Sequence, residues 1–252
     1  MLCERTLFET IDKVQTAIDF LRDLEPPEGY YLAFSGGKDS LCIKQLANMA
    51  GVKYDAHYNV TTIDPPEIVR FIRTYHPDVK FDHPEIPFLR KLETKGFPLR
   101  QRRWCCELYK ERGGRGRRVI TGIRKAESNK RSGRRAVETC FKDSSKTYIN
   151  PILMWSDSDV WDFIHQHSLN YCSLYDDGWS RIGCLFCPMA GKMRQIEAER
   201  YPRYVKAFIR SFEKLHATGR DSMRHWPNGE AMFWHWLRER KQIDPDQSVL
   251  FE

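Results

Sequence analysis

Ser35-Gly36-Gly37-Lys38-Asp39-Ser40 brings together, in consecutive positions, residue types that hold phosphate. An apolar run of strand character (Tyr30, Tyr31, Leu32, Ala33, Phe34) leads into it, and apolar residues at helical spacing (Leu41, Ile43, Leu46, Ala47, Met49) lead out. Two adjacent glycines at a strand-to-helix turn let main-chain N–H groups and the new helix N-terminus converge on one point, which suits an anion. Ser35 and Ser40 add hydroxyl donors and Lys38 adds charge, so the loop reads as a phosphate cradle. The plainer alternative is a glycine turn with a capping serine. The spacing is not the G-x-x-x-x-G-K-[ST] of the Walker loop.

Four cysteines carry a second chemistry. Cys105-Cys106 is a tandem pair and Cys184-Leu185-Phe186-Cys187 is a C-x-x-C. Four thiolates suit zinc, but zinc knuckles space their cysteines two to four residues apart, and adjacent thiols reach one metal only with strain. A cuboidal iron–sulfur cluster offers separate iron corners, so the tandem pair favours [4Fe–4S], with zinc and plain structural thiols as the alternatives. Cys3, Cys42, Cys140 and Cys172 lack ligand spacing; Cys42 reads as core and Cys140, among polar residues, as an exposed thiol.

Asp64, in Thr61-Thr62-Ile63-Asp64-Pro65-Pro66-Glu67, follows a strand-like segment. Its carboxylate suits Mg²⁺ or a ribose hydroxyl, or else caps the helix that the prolines open.

These groups need a scaffold, and the pattern supplies one. Apolar residues from 6 to 24 recur at helical spacing and Glu25-Pro26-Pro27-Glu28-Gly29 ends that helix. Strands are expected at Tyr30–Phe34, Val52–Val60, Val79–Phe81, Val119–Ile123 and Tyr148–Leu153, with helices between them. Such alternation predicts an α/β fold: a Rossmann-like parallel sheet with helices on both faces and ligands at the carboxyl ends of the strands. After Pro188 the pattern is helical throughout, so residues 1–190 read as the nucleotide- and cluster-binding domain and 191–252 as a helical C-terminal extension packed on it.

The chain has 252 residues, 41% hydrophobic and 30% charged, and a formal net charge of +7. From Arg100 to Arg135 it carries 14 Lys and Arg against three acids, a local +11 that leaves the remainder at −4. A solvated basic face and a polyanionic partner such as nucleic acid both fit this surplus. No apolar run reaches the ~20 residues of a bilayer span, and Glu4 and Glu9 sit where a signal peptide is basic, then apolar. The expectation is a cytoplasmic protein without membrane association, in a reducing compartment where metal binding or catalysis is the use of its cysteines.

The loop resembles the S-G-G-x-D-S signature of the PP-loop ATP pyrophosphatases, which cleave ATP between the α and β phosphates. Their fold is the adenine nucleotide alpha hydrolase-like one. Val119-Ile120-Thr121-Gly122-Ile123-Arg124-Lys125-Ala126-Glu127-Ser128 is similar to the superfamily's G-x-R-x-x-E-S/D segment, and Asn150-Pro151-Ile152-Leu153-Met154-Trp155-Ser156-Asp157-Ser158-Asp159-Val160-Trp161 to its P-I-x-x-W-S stretch. By its residues that stretch is a strand followed by a Ser156-capped helix with Trp161 packed inward. The order of loop, C-C and C-x-x-C resembles the cluster-bearing adenylyl-sulfate and phosphoadenosine phosphosulfate (PAPS) reductases over most of residues 30 to 190.

The resemblance implies ATP and Mg²⁺ held by Ser35, Gly36, Gly37, Lys38, Asp39, Ser40, Asp64, Gly122 and Arg124, with Lys38 and Asp39 catalytic. It implies substrate contacts from Arg124, Lys125 and Arg131 and a cluster on Cys105, Cys106, Cys184 and Cys187. One departure matters: assimilatory reductases carry a nucleophilic cysteine in a C-terminal tail, and no cysteine follows Cys187 here. Together with the basic segment this makes the chain more similar to the ATP-cleaving sulfur-transfer component of DNA phosphorothioation systems. The partners then implied are DNA, a cysteine desulfurase as sulfur donor and other subunits of a modification system. Reductase chemistry, a tRNA thiolase and a non-catalytic cluster-bearing nucleic-acid subunit are the alternatives.

Overall fold

The computed structural model describes residues 2–5 and 10–238. In chain order its elements are β1 (Cys3–Arg5), β2 (Thr10–Asp12), α1 (Lys13–Asp23), β3 (Tyr30–Ala33), α2 (Lys38–Ala50), β4 (Tyr54–Asn59), α3 (Pro66–Tyr75) and β5 (Lys80–Asp82). Then come α4 (Phe88–Lys95), β6 (Arg118–Ile120), α5 (Asn129–Ser132), β7 (Val137–Cys140), β8 (Asp143–Ile149) and α6 (Asp157–Gln166). The last are α7 (Met193–Arg200), α8 (Pro202–His216) and α9 (Gly229–Arg238).

The chain divides into two units: Met1–Val60, Asp64–Pro84 and Leu108–Gly183 form one, and Thr61–Ile63, Glu85–Glu107 and Cys184–Glu252 the other. This division differs from a boundary at residue 190, because it groups the four paired cysteines with the C-terminal helices. Residues 239–252 of the expected extension lie outside the described residues. Among the described residues no helix is long and apolar enough to cross a membrane.

The first unit is built on a six-stranded sheet of order β5-β4-β3-β6-β8-β7. Its pairs are parallel except β7 with β8, which runs antiparallel at one edge. β3 is central and buried through Tyr30, Tyr31 and Leu32, as expected of a strand covered on both faces. Tyr30 satisfies its polar tip by donating to the Leu21 carbonyl at 2.8 Å. On α2, Leu41, Cys42, Ile43, Leu46 and Ala47 are buried, each full-sized apolar side chain contributing about 1.5–3 kcal/mol. Cys42 is core, as its position on the apolar face implied.

Two local expectations are corrected. The helix expected from residue 6 begins at Lys13, because the Asp12 carboxylate accepts from the N–H groups of Val14 (2.9 Å) and Gln15 (3.0 Å). Thr10–Asp12 instead pairs antiparallel with Cys3–Arg5, and residues 6–9 lie outside the described residues. The strand expected at Tyr148–Leu153 is displaced toward the N-terminus as β8, and Pro151–Met154 is a turn.

The second unit is held by aromatic packing. α8 packs on α4, α7 and α9, and Phe186, Phe208, Phe212, Phe233 and Trp236 are fully buried. Trp236 donates its indole N–H to the Pro98 carbonyl at 2.8 Å, which joins the C-terminal helices to the segment before Cys105.

Candidate functional site

The loop between β3 and α2 keeps its shape through glycine and serine. Gly36 has φ +71°, and a Cβ there would lie 2.9 Å from Ile68 Cγ1 and 3.0 Å from Ile72 on α3. Gly37 is the N-cap of α2 in extended conformation, where a Cβ would meet Ser35 Oγ and Tyr175 Oη at 3.4 Å. Ser35 Oγ accepts from the Gly37 N–H at 3.4 Å and donates to Ser40 Oγ at 3.3 Å. Ser40 Oγ donates to the Gly37 carbonyl at 2.8 Å. The main-chain N–H of Lys38 donates to the Tyr175 hydroxyl at 2.8 Å. The Lys38 ammonium, 7% exposed, lies 3.4 Å from both the Ser180 carbonyl and Asp157 Oδ1.

Arg124 organises the floor of this site. It is 1% exposed, and its guanidinium donates through Nε to Asp39 Oδ1 (2.6 Å), through Nη1 to the Trp155 carbonyl (3.2 Å) and through Nη2 to Asp157 Oδ1 (2.8 Å). Burial disfavours its charge, but Asp39 and Asp157 more than compensate and hold Arg124 above the ordinary guanidinium range. For Asp157, burial likewise works against ionisation and is outweighed by the Arg124 hydrogen bond and charge and by Lys38, which leave it below the usual carboxylate range. The charge of Arg124, read from sequence as a phosphate ligand, is engaged with carboxylates instead. Gly122, read as letting main chain approach a nucleotide, lets it approach Asp39: a Cβ would sit 2.9 Å from Asp39 Cβ.

Of the remaining expected residues, Asp64 is buried, and Pro65 rather than Asp64 is the N-cap of α3. Lys125 is half-buried and donates its main-chain N–H to the Leu153 carbonyl at 2.8 Å. Arg131 pairs with Glu127. Burial and the charges of Arg181, Arg134 and Arg124 hold Arg131 below the ordinary guanidinium range against the pull of Asp39, so these guanidiniums share one electrostatic neighbourhood with the loop.

The basic stretch is largely engaged within the protein. Arg117 bonds Asp55 (3.0 Å) and the Gly29 carbonyl (3.0 Å), Arg118 the Leu24 carbonyl (2.6 Å), and Arg112 Asn59 (3.3 Å). Arg134 pairs with Glu138, and Arg135 and Arg181 are exposed. Trp161, expected to pack inward, is half-buried and meets Tyr171 and Tyr175 edge-on; Trp155 is the buried one. Ser156 caps α6 in a reciprocal pair with Asp159, as the sequence indicated. Sequence reading missed Tyr175, Ser180 and Arg181, which lie in a turn with no nucleotide-site pattern. Asp157 stood inside a quoted stretch without an assigned role.

In the second unit the four paired cysteines are half-buried. A hydrogen bond with Cys106, burial, and the charges of Cys106, Cys184 and Cys187 together push the Cys105 thiol up, so the four thiols feel one another. Among the described residues, no group of three or more Cys, His, Asp or Glu side chains converges on a single metal ion. The C-x-x-C turn is fixed by main chain: Leu185 donates to the Ile63 carbonyl at 2.9 Å and Phe186, at φ +57°, donates to Glu197 Oε2 at 2.5 Å.

The sequence model of the phosphoadenosine phosphosulfate reductase domain matches residues 29–190. An uncharacterised protein of Methanocaldococcus jannaschii is 28% identical over 229 residues, 86% of this chain and 53% of that protein. An adenosine 5'-phosphosulfate reductase of Anoxybacillus flavithermus is 35% identical over 92 residues, 33% of this chain and 37% of that protein. The chain spans about half the length of the first of these relatives. Among solved structures, phosphoadenylyl-sulfate reductase from Candida auris superposes with a TM-score of 0.51 at 21% identity, covering 67% of this chain and 88% of that one, a likeness of fold. Because the domain match covers more than half of the chain and contains the loop and both cysteine pairs, the protein belongs to the phosphoadenosine phosphosulfate reductase domain family, within the PP-loop ATP pyrophosphatase superfamily.

Proposed function

We propose that the first unit binds ATP at Ser35–Ser40 and cleaves it between the α and β phosphates, adenylating an acceptor. The observation that supports this is the loop itself: one strand-to-helix turn supplies the Ser35 and Ser40 hydroxyls, the first N–H of α2 and the buried Lys38, with Arg131 and Arg181 close enough to influence each other's charge. Asp64, buried after β4, is the carboxylate proposed for Mg²⁺, while Asp39 is held beside the loop by Arg124. In the reaction an acceptor oxygen attacks the α-phosphorus, the α–β bond breaks, and pyrophosphate leaves with the bonding electrons, its charge offset by Lys38. The test is chromatography of ATP incubated with the protein and Mg²⁺. AMP and pyrophosphate are expected; ADP and phosphate as the only products would falsify this reading.

For the acceptor we propose a nucleic-acid backbone phosphate, with DNA first. Sulfur at the sulfide level, supplied by a cysteine desulfurase and its thiol reductant, then displaces AMP, and other subunits of a modification system present the substrate. The cations that support this are the exposed Arg135 and Arg181. Reversing Arg117 or Arg118 would break internal bonds instead of testing binding.

For Cys105, Cys106, Cys184 and Cys187 we propose a [4Fe–4S] cluster over zinc from their pattern in the sequence, because separate iron corners suit the adjacent thiolates of Cys105 and Cys106. When bound, such a cluster would position or supply sulfur. Protein prepared without oxygen is expected to be brown, with about four irons per chain, and to bleach in Cys106→Ser and Cys187→Ser. Stoichiometric zinc in such protein would count for the rival site.

Sulfonucleotide reduction is the second reading, favoured by one observation. Burial opposes ionisation of the Cys140 thiol, but the Tyr148 hydroxyl at 3.4 Å, the main chain of Lys142 and Asp143, and Lys146 hold it below the ordinary thiol range. Cys172 is 1% exposed, so Cys140 is the nucleophile this reading needs. Sulfite release from adenylyl sulfate with a thiol reductant, lost in Cys140→Ser, distinguishes it from ATP cleavage.

A further inference from the structure

We propose that Tyr175 is an internal occupant of the phosphate site, its hydroxyl closing the N-terminus of α2 until a phosphate oxygen displaces it. The inference rests on the reading of Ser35–Ser40 as a phosphate loop. A helix N-terminus has N–H groups without intrahelical partners, and a phosphate bound there takes them. Here the Lys38 N–H is taken by Tyr175 Oη at 2.8 Å. The Lys38 ammonium is held from the same segment by the Ser180 carbonyl at 3.4 Å. Tyr175 therefore engages the main chain of the loop residue whose side chain Ser180 also engages.

The contact is built to be reversible. Tyr175 ends a short 3₁₀ turn, Ser173–Tyr175, whose neighbours Leu174 and Trp179 are buried and anchor the segment. Gly178, at φ +83°, lies between Tyr175 and Ser180. The ring of Tyr175 meets Trp161 edge-on at 5.1 Å, and both side chains are half-buried, so displacing the hydroxyl requires movement of a partly exposed ring and not of the core. Burial keeps the hydroxyl neutral, so it accepts an ordinary hydrogen bond, whereas a phosphate oxygen accepts a charge-assisted one roughly twice as strong. The hydroxyl sets a threshold that bound phosphate overcomes.

The test is calorimetric titration of the full chain with magnesium pyrophosphate, comparing wild type with Tyr175→Phe. The phenylalanine variant is expected to bind about three- to tenfold more tightly, the worth of one neutral hydrogen bond no longer displaced. Equal or weaker binding overturns the proposal and leaves the phosphate-loop reading standing; no binding by either protein overturns both. Peptide-resolved hydrogen exchange on the wild type tests it without a substitution. Pyrophosphate should slow exchange at 36–41 and speed it at 173–180, and slowing at both segments overturns the proposal.

Discussion

Replacing Arg124 with methionine is expected to destabilise the protein by about 3 kcal/mol and to lower adenine-nucleotide turnover by more than tenfold. Methionine fills part of the volume but leaves Asp39 without its 2.6 Å partner, and the Trp155 carbonyl without a donor. Breaking a buried ion pair usually costs about 3–5 kcal/mol; the lower end applies because Asp157 is 69% exposed and water can solvate it. The Lys38 ammonium at 3.8 Å would then be the ion-pair partner left to Asp39, and that pairing competes with phosphate for the lysine charge. Arg124→Lys should recover less than half of the loss, since an ammonium cannot bridge two carboxylates and a carbonyl as a planar guanidinium does. Urea midpoints at constant m-value measure the effect, and a loss below about 1 kcal/mol would show that the network is not structural.

Stability is expected to fall by about 3 kcal/mol through Glu197 as pH rises from 4.5 to 7. Burial, opposed by the Phe186 N–H and the Arg194 charge, pushes this carboxyl up to about 7, whereas in the unfolded chain it ionises near 4.5. Between those values the folded chain binds the extra proton, so each rise in pH favours unfolding; above 7 both states are ionised and this group adds no further slope. His76 acts in the opposite sense. Burial and the Lys44 charge, against Asp78, push it down to about 4 from 6.5, so its contribution raises stability with pH across that interval. The wild-type profile combines the two, and Glu197→Gln separates them by keeping an acceptor for Phe186 while removing the titration. If the glutamine variant followed the wild-type profile from pH 5 to 8, Glu197 would not be the source.

The β3–loop–α2 unit is legible because glycine, serine and periodic apolar residues act locally, and Gly36 indeed adopts the left-handed conformation its type permits. Asp12 shows how a local signal is missed: Leu7, Ile11 and Val14 fit a helix, yet one carboxylate capturing two N–H groups starts it at Lys13. β7 escaped notice because Val137-Glu138-Thr139-Cys140 lies at a sheet edge, where none of its side chains is fully buried and no apolar alternation is required. In the basic stretch, charge was visible but its partners were not, since Asp55, Gly29 and Leu24 lie far along the chain from Arg117 and Arg118.

The sequence by itself determined the glycine–serine turn between β3 and α2, the α/β class and the two pairs of thiols, because turn geometry, hydrophobic period and residue type are written in residues close along the chain. The tertiary structure alone decided that Arg124 braces Asp39 and Asp157, that Tyr175 reaches the first N–H of α2, and that residues 85–107 join the C-terminal helices around an aromatic core. Those contacts join residues 33 to 138 positions apart. Their energies depend on burial and on which charges meet, and neither is a property of any local stretch of sequence.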